Sequence, residues 1–402
     1  MRVLLGYSGG LDTSWLVAWL TAEHAAEVVA CTIDCGGFDA AERAAIAARA
    51  RQLGAAEHRF VDAREEMFDR VLRWLIAGNV RRGGVYPLSV GAERGLQAEV
   101  LARIASSEGF DAIAHGCTAA GNDQVRFDAA LHAVAPQLRV LAPVRDRMPS
   151  RDQQRAWLQE RGLPVPPAGG AYSINQGLWG LTIGGGAMLG SAEPLPDAAW
   201  VWTRDGGGTA RLAITFADGV PVALDGVSLA PVALIEQLNS RGGGLGVGRG
   251  YHLGDTALGI KGRIAFEAPA AELLLTAHRE LEKLVLVEEQ RFWKDQLGEV
   301  YGRRLHLGLF HDPFLRDLEA MFASSQGRVG GEVRLLCTHG RVLVEGLDSP
   351  HSLLDASPAR YGELADPAAA RAAGLGRVLA EPARLHRLAG ERAACRAAEV
   401  GT

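Results

Sequence analysis

Short apolar runs alternate with amphipathic segments through the first 150 residues of the chain. The runs predict buried β-strands, because they are too short for helices. They lie at residues 3–6, 28–33, 59–61, 112–114 and 139–142. Apolar residues recur at helical spacing between them and predict helices at residues 14–22, 40–53, 64–77 and 95–107. Strands that alternate with helices are typical of parallel crossovers, so we expect a doubly wound parallel sheet of the α/β class.

A Pro- and Gly-rich segment at residues 163–170 marks a change in this pattern. Beyond it, apolar runs flank Asp218-Gly219 and His339-Gly340, dipeptides that favour two-residue hairpin turns. Residues 271–292 predict one long helix, and the Ala- and Arg-rich residues 367–400 predict another. We therefore expect three parts: residues 1–165 around the parallel sheet, an α+β domain at 166–365, and a helical tail at 366–402.

Composition narrows the classes of partner. The 402 residues carry a net charge of −5, and the basic residues are scattered, so no concentrated positive surface for nucleic acid is expected. No run approaches the roughly 18–20 apolar residues of a membrane helix, and no signal-peptide pattern is present. The five cysteines lack the spacing of a zinc site. We expect a cytoplasmic protein that binds neither nucleic acid nor membranes.

The first predicted strand runs into a Gly-rich loop and then a helix. The loop reads Ser8-Gly9-Gly10-Leu11-Asp12-Thr13-Ser14. Its glycines permit positive φ and let backbone N–H groups approach phosphate oxygens, and a helix N-terminus favours an anion. The hydroxyls add donors, and Asp12 could help place Mg²⁺ or cap the helix. A Walker loop would need a lysine here, and its absence predicts a loop that grips a leaving pyrophosphate. A plain Gly-rich turn with a Ser or Thr cap is the alternative.

This loop, from Tyr7 to Ser14, resembles the opening motif of argininosuccinate synthases, members of the N-type ATP pyrophosphatase superfamily. A second specific motif is similar as well, and it reads His115-Gly116-Cys117-Thr118-Ala119-Ala120-Gly121-Asn122-Asp123-Gln124-Val125-Arg126-Phe127. Weaker matches follow in order at residues 172–180, 246–249, 259–263, 348–353 and 385–388. The resemblance spans nearly the whole chain. It implies a ligase that adenylates the ureido oxygen of citrulline with ATP, releases pyrophosphate, and lets the amine of L-aspartate displace AMP.

The resemblance also assigns roles to residues. The expected ATP contacts are Gly6, Tyr7, Ser8, Gly9, Gly10, Asp12, Thr13, Ser14, Ile33, His115 and Gly116. The expected aspartate contacts are Thr118, Asn122 and Asp123. The expected contacts to the ureido co-substrate are Tyr86, Gly91, Asn122, Arg126, Ser173, Thr182, Gly254 and Phe266. Asp12, Arg94 and Asp123 are the expected catalytic residues.

Cofactors and partners follow from the same resemblance. Mg²⁺ is expected to arrive with ATP rather than in a site made by the protein alone. A homotetramer held partly by the C-terminal helix is implied. A downstream lyase of the argininosuccinate lyase type, which would remove fumarate from the product, is implied too.

Three positions around the amino-acid head of citrulline depart from the family pattern. Gly91 stands for a serine, Gly254 aligns with an acidic residue that would pair with the α-ammonium, and Phe266 stands for a tyrosine. The two glycines are expected to open space, and the neighbouring Asp255 is a candidate substitute for the acid. An unpaired buried ammonium costs several kcal/mol. We therefore expect a co-substrate other than citrulline, one that lacks the α-amino-acid end or carries something bulkier there.

Two alternatives stay open. The chain could be a genuine argininosuccinate synthase of arginine biosynthesis whose citrulline partners have shifted. It could instead be a non-catalytic paralogue that binds ATP or aspartate. Ala119-Ala120 gives weight to the latter, because it replaces the family's Gly-Lys and removes one cation near the nucleotide.

Overall fold

The computed structural model describes residues 1–167, 170–204, 208–357 and 366–400, with side chains left out at 366–370 and 393–400. The chain forms two compact units, Met1–His351 and Ser352–Thr402, which are described separately. The segment at 163–170 and the predicted boundary between 365 and 366 lie partly outside the described residues. The predicted division at 165 and 365 stays a prediction.

The first unit contains three sheets. Their strands are β1 (Arg2–Gly6), β2 (Glu27–Asp34), β3 (Glu57–Asp62), β4 (Ala112–His115), β5 (Arg139–Leu141), β6 (Tyr172–Gly177), β7 (Gly180–Gly185), β8 (Thr209–Ala217), β9 (Val220–Leu224), β10 (Val227–Ser228), β11 (Arg249–Asp255), β12 (Lys261–Glu267), β13 (Gly331–Thr338) and β14 (Arg341–Asp348). The first sheet is parallel in the order β3-β2-β1-β4-β5. The other two are antiparallel, in the orders β10-β9-β8-β13-β14 and β11-β12-β7-β6.

The described residues form thirteen α-helices, twelve of them in the first unit. They are α1 (Leu11–His24), α2 (Ala40–Gln52), α3 (Arg64–Met67), α4 (Arg73–Ala77), α5 (Arg94–Ser107), α6 (Asp123–Val134), α7 (Pro143–Arg147), α8 (Arg151–Glu160), α9 (Pro231–Gly244), α10 (Pro269–Val285), α11 (Glu288–His306), α12 (Pro313–Gln326) and, in the second unit, α13 (Asp366–Val400). A π-helical turn, Phe68–Leu72, joins α3 to α4, and 3₁₀ turns lie at Gly186–Leu189 and Asp197–Ala199.

The parallel sheet is buried on both faces, which confirms the predicted doubly wound α/β class. Val3 and Leu5 of β1 pack with Trp15 of α1, whereas Leu4 faces the opposite core with Leu101 of α5. Side chains alternate across a strand, so an all-apolar run is the pattern of a strand covered on both sides. The strand order reverses between β1 and β4, and a crevice opens at such a switch point beyond the carboxyl ends of the strands.

Both predicted hairpins are confirmed. Asp218 and Gly219 join β8 to β9 with φ of 49° and 76°, and His339 and Gly340 join β13 to β14 with φ of 47° and 74°. Positive φ at both central residues matches the twist of the strands that such a turn connects.

The predicted single helix at 271–292 is wrong. α10 ends at Val285, and α11 begins at Glu288. Leu286 between them is extended, with φ −109° and ψ 145°, and it is buried. The Gln290 side chain then accepts a hydrogen bond from the Val287 N–H at 3.2 Å. An apolar residue occupies the break, so the hydrophobic period continues through it and hides the change of direction.

The second unit is dominated by α13, in the region where a helical tail was expected, and Pro382 lies inside this helix. None of the helices in the described ranges combines the length and apolar character that crossing a bilayer demands.

Candidate functional site

A cavity of about 1070 Å³ lies at the carboxyl ends of β1 and β4. Most of the expected site residues line it together, although they come from distant parts of the sequence. Those that line it are Gly6, Tyr7, Ser8, Gly9, Gly10, Asp12, Thr13, Ile33, Tyr86, Arg94, His115, Gly116, Thr118, Asn122, Asp123, Arg126, Ser173, Thr182 and Gly254. Ser14, Gly91 and Phe266 do not.

The loop after β1 presents backbone to the cavity. Gly9 has φ +75°, and a Cβ there would lie 2.8 Å from Cγ1 of Ile46, so only glycine fits. Gly10 is the N-cap of α1, and no described side chain caps this helix end. The N–H groups of the first turn are therefore free for an anion. Ser8 Oγ lies 3.2 Å from Thr13 Oγ1, which places two hydroxyls at the same helix end.

Ser14 is placed differently from the expectation. Its side chain is fully buried, and its Oγ lies 3.3 Å from the Tyr7 hydroxyl oxygen. The Ser14 side chain therefore stabilises the loop through a buried contact with Tyr7. The hydroxyl faces the core because Ser14 lies on the buried side of α1, next to Trp15 and Leu16.

Asp12 lies in the first turn of α1, where Gln154 of α8 donates a hydrogen bond to its Oδ1 at 2.8 Å. This arrangement holds one carboxylate beside the loop after β1. In the described part of the chain, no group of three or more His, Cys, Asp or Glu side chains could hold a metal ion by itself. Gln154 was not singled out in the sequence, because it lies 142 positions away from Asp12.

The loop after β4 lies directly against the first loop. A Cβ on Gly116 would come within 2.8 Å of Thr13 Cγ2, so a larger residue would push the two loops apart. His115 ends β4, and its Nε2 lies 3.0 Å from Asp128 Oδ1, which fixes its ring. Ile33, near the end of β2, lines the same cavity, and its carbonyl accepts a hydrogen bond from the Gln97 side-chain amide at 3.5 Å.

Asp123 is held between two guanidinium groups. Arg94 Nε donates to its Oδ2 at 3.0 Å, and Arg126 Nη1 donates to its Oδ1 at 2.8 Å. Burial alone would raise the pKa of Asp123, but the two cations lower that pKa to about 2. About a third of the side chain, 35%, stays exposed to the cavity. The site therefore presents a permanently ionised carboxylate that can receive an amine.

Buried Glu93 was missed in the sequence. It accepts from Arg94 Nη1 at 2.8 Å and from the Gly91 N–H at 2.7 Å, so it fixes Arg94 from behind. The sequence signal that could have indicated Glu93 was its position beside Arg94 at the start of a helix.

Asn122 lies on the loop after β4. Its Oδ1 accepts a hydrogen bond from the Ala257 N–H at 2.8 Å, which leaves its amide N–H groups for a ligand.

Tyr86 does not offer its hydroxyl to the cavity. That hydroxyl donates to the Val90 carbonyl at 2.9 Å and lies 3.2 Å from the Val90 N–H, and thus closes a turn. Its ring stacks on His252 with 5.3 Å between centroids. Ser173 on β6 and Thr182 on β7 do line the cavity, from neighbouring strands.

The expectation that Gly91 and Gly254 open space is wrong. A Cβ on Gly91 would lie 2.4 Å from Arg126 Nη1, and a Cβ on Gly254 would lie 2.5 Å from His252 Nε2. The Arg126 side chain fills the space beside Gly91, and the His252 ring fills the space beside Gly254. Phe266 packs over Gly250, where a Cβ would lie 2.2 Å from its Cζ, and this contact keeps it below the cavity surface.

Asp255 does not replace the missing acid in this structure. Its Oδ1 pairs with Lys261 Nζ at 2.6 Å, and its side chain is 62% exposed. Adjacent residues of a strand point to opposite faces, so Asp255 and Gly254 cannot offer side chains to the same side of β11.

Arg82, His252 and His306 line this same end of the cavity and were not expected there. Arg82 Nη1 donates to His306 Nδ1 at 3.1 Å, and Arg126 Nη2 donates to the same atom at 3.0 Å. Burial, followed by the charges of Arg126 and Arg82, lowers the pKa of His306 to about 3. The imidazole is therefore neutral and acts as an acceptor for both cations.

Comparisons with known proteins identify the family of the chain. A family model described as the argininosuccinate synthase N-terminal HUP domain matches residues 2–164, and one for the argininosuccinate synthase C-terminal domain matches residues 172–385. Three similar proteins are argininosuccinate synthases. The one from Dictyoglomus turgidum is 38% identical over 363 residues, covering 90% of this chain and 91% of the relative. The one from Dehalococcoides mccartyi is 39% identical over 377 residues, covering 92% of each. The one from Xanthomonas campestris is 40% identical over 371 residues, covering 90% and 92%. The chain belongs to the argininosuccinate synthase family of carbon–nitrogen ligases, whose members use ATP.

Proposed function

We propose that this ligase adenylates the oxygen of a ureido group with ATP and then joins the ureido carbon to the amine of L-aspartate. The observation that carries the proposal is Asp123, ionised and clamped by Arg94 and Arg126, beside an uncapped helix N-terminus that suits phosphates. A carboxylate for an amine and a cradle for a nucleotide therefore share one crevice.

The proposed chemistry has two displacements. The ureido oxygen attacks the α-phosphorus of ATP, and the bond to pyrophosphate breaks. The aspartate amine then attacks the activated carbon, loses a proton, and expels AMP with the former ureido oxygen. The protein supplies position and charge for both steps. The loop from Ser8 to Thr13 would hold the phosphates, and Asp12 would face the Mg²⁺ that ATP carries.

The proposed aspartate site lies on the loop after β4. Thr118 and the free amide N–H groups of Asn122 would bind the carboxylates of aspartate, and Asp123 would bind its amine. These donors and the ionised acceptor are complementary to a molecule with two acids and one amine.

We further propose that the acceptor is a ureido compound other than citrulline. The support is the end of the cavity around Gly254, which has no carboxylate, while the carboxylate of neighbouring Asp255 is ion-paired with Lys261. Citrulline is the second candidate. The names of the relatives, at 38% to 40% identity over about nine-tenths of the chain, favour citrulline and give no support to a different acceptor.

The test is release of AMP and pyrophosphate in the presence of ATP, Mg²⁺, aspartate and either citrulline or another ureido compound. We expect turnover that requires aspartate and runs faster with an acceptor lacking the α-ammonium. Turnover of citrulline above all others would establish the second candidate. Nucleotide binding without AMP formation from any acceptor would instead identify a non-catalytic paralogue.

A homotetramer and a downstream lyase of the argininosuccinate lyase type are further proposals that rest on the family. Sedimentation velocity should show one species of four chains. Addition of such a lyase to the reaction product should release fumarate.

A further inference from the structure

We infer that the head end of the cavity, formed by Arg82, Arg126, His252 and His306, binds a carboxylate, so that the acceptor is a ureido acid without an α-ammonium. This rests on the proposed function, because it assumes a ureido acceptor. It adds the chemical class of the group at the other end of that acceptor.

Arg82 provides the uncompensated charge. Within the described residues it has no carboxylate at ion-pair distance. Its two polar contacts are the neutral His306 Nδ1 at 3.1 Å and the Asp255 carbonyl at 3.2 Å. The carboxylates of Glu299 and Asp255 act on its charge only from beyond ion-pair distance. A half-buried guanidinium with neutral partners favours an anion, which it binds through two parallel N–H groups.

His306 and Arg126 fix the direction of Arg82. The neutral His306 accepts from both arginines at Nδ1, so its proton is on Nε2, which donates to the Asp255 carbonyl at 3.1 Å. Arg126 also donates to the His306 carbonyl at 2.9 Å and to Asp123. Its donors are therefore largely used, and Arg82 is the cation left for a ligand.

His252 supplies a second donor. It is 8% exposed, and its Nε2 has no hydrogen-bond partner in the described part of the chain. Burial and the charge of Arg82 lower the pKa of His252, so the ring is neutral and can donate one N–H. Its ring is held flat against Tyr86, and its Nε2 lies over Gly254. A buried ring nitrogen without a partner is costly, and a carboxylate oxygen would satisfy it in the tautomer that carries the proton on Nε2.

Among the described residues that line this end, no carboxylate is left to pair with an ammonium. Asp123 is shared by two arginines, Glu93 is behind Arg94, and the Asp255 carboxylate is paired with Lys261. An α-ammonium placed here would face Arg82 instead. The same charges that attract a carboxylate therefore disfavour the zwitterionic head of citrulline.

The experiment compares four ureas of matched length with the wild-type enzyme, ATP and aspartate: 5-ureidopentanoate, citrulline, butylurea and 4-ureidobutylamine. We expect kcat/KM for AMP formation to be at least about tenfold higher with 5-ureidopentanoate than with butylurea or citrulline, with the amine lowest. Equal use of 5-ureidopentanoate and butylurea, or a preference for citrulline, would overturn the inference while leaving the ligase function intact.

Calorimetric titration with 5-ureidopentanoate separates the two failures. Binding without AMP formation would refute the proposed function and retain the carboxylate site. Absence of binding by all four ureas would refute the carboxylate site.

Two variants locate the effect. Arg82→Gln should reduce the ratio of kcat/KM for 5-ureidopentanoate over butylurea by about tenfold, since the variant keeps a polar N–H donor and removes the charge. Arg211→Gln, at an exposed position of β8 with 71% of its side chain accessible, should keep the wild-type ratio. An unchanged ratio in Arg82→Gln would contradict the inference, and the wild-type panel decides it if that variant does not fold.

Discussion

The two ends of the cavity differ in what lines them, because one end is formed mainly by backbone and the other by side chains. The end where we propose that phosphates bind, the phosphate end, is lined by backbone. Gly9 there has a left-handed conformation, the helix end at Gly10 is uncapped, and Gly116 packs against Thr13. The head end is lined by side chains from separate elements that pack against one another. The Arg126 side chain lies over Gly91, and the His252 ring lies over Gly254. A backbone site tolerates few substitutions, whereas a side-chain site can be rebuilt by exchanging which residue fills a volume. This is consistent with three departures from the family pattern, at Gly91, Gly254 and Phe266, falling around the head end.

The largest effect should come from Gly9→Ala. Its φ of +75° and the 2.8 Å contact of a new Cβ with Ile46 would force the phosphate loop to move. We expect ATP affinity to fall by at least about 100-fold in calorimetry, because the loop supplies the N–H groups.

Gly109→Ala is its matched control. Gly109 also has positive φ, +68°, but nothing lies within 4 Å of a new Cβ. It should lose about 1 kcal/mol of stability and keep its ATP affinity. If Gly9→Ala binds ATP as the wild type does, the contrast between a backbone end and a side-chain end fails.

Asp123→Asn tests the junction between the two ends. Loss of the charge between Arg94 and Arg126 should lower kcat/KM for aspartate by on the order of 100-fold and change ATP affinity by less than about threefold. Steady-state AMP release gives the first number and calorimetry the second. Asp146→Asn, whose side chain is 58% exposed outside the cavity, should behave as the wild type. An equal loss of ATP affinity would mean that the ends are not separable.

A double substitution sharpens the account of the head end. Gly254→Glu alone restores an acid but places its Cβ 2.5 Å from His252 Nε2. We expect the kcat/KM ratio of citrulline to 5-ureidopentanoate to rise by about tenfold in His252→Ala/Gly254→Glu, and much less in either single variant. Additive effects would show that the His252 ring does not occupy the place of the acid.

The smallest effect concerns stability and pH. The pKa of His306 is about 3 in the folded protein, below the roughly 6.5 of an unfolded histidine. The unfolded chain therefore binds more protons in this window, so stability is full above pH 6.5 and declines as the pH falls toward 3. We expect a loss of about 1 kcal/mol between pH 6.5 and 5.5 from His306, measured by urea unfolding.

His306→Asn should remove that slope while keeping an acceptor for the arginines. An identical pH dependence in the variant and the wild type would mean that the head end does not hold His306 neutral.

Local patterns were sufficient for the parallel sheet, the two hairpins and the Gly-rich loop between β1 and α1. Each depends on residues that are close in sequence, such as the apolar run in β1 or the positive-φ pair at Asp218 and Gly219. The break between α10 and α11 was hidden because Leu286 continues the apolar period while its backbone is extended.

The head end could not be predicted from local patterns. Arg82 and His306 are 224 positions apart, and Arg126 and His306 are 180 apart. Gly91 and Gly254 suggested empty volume, and only the placement of Arg126 and His252 shows that it is filled. Ser14 and Tyr86 have the residue types of ligands, yet their hydroxyls are engaged within the protein.

The position of His306 at the end of α11 has a consequence for synthesis of the chain. The loops after β1 and β4 are complete once residue 123 has left the ribosome, whereas the acceptor for Arg82 and Arg126 follows more than 180 residues later. At the usual ~5–20 residues of synthesis per second, the Arg82 and Arg126 side chains therefore lack their common hydrogen-bond acceptor for on the order of ten to forty seconds. The residues proposed to hold the nucleotide are thus synthesised before His306, which orients the cations proposed to select the acceptor.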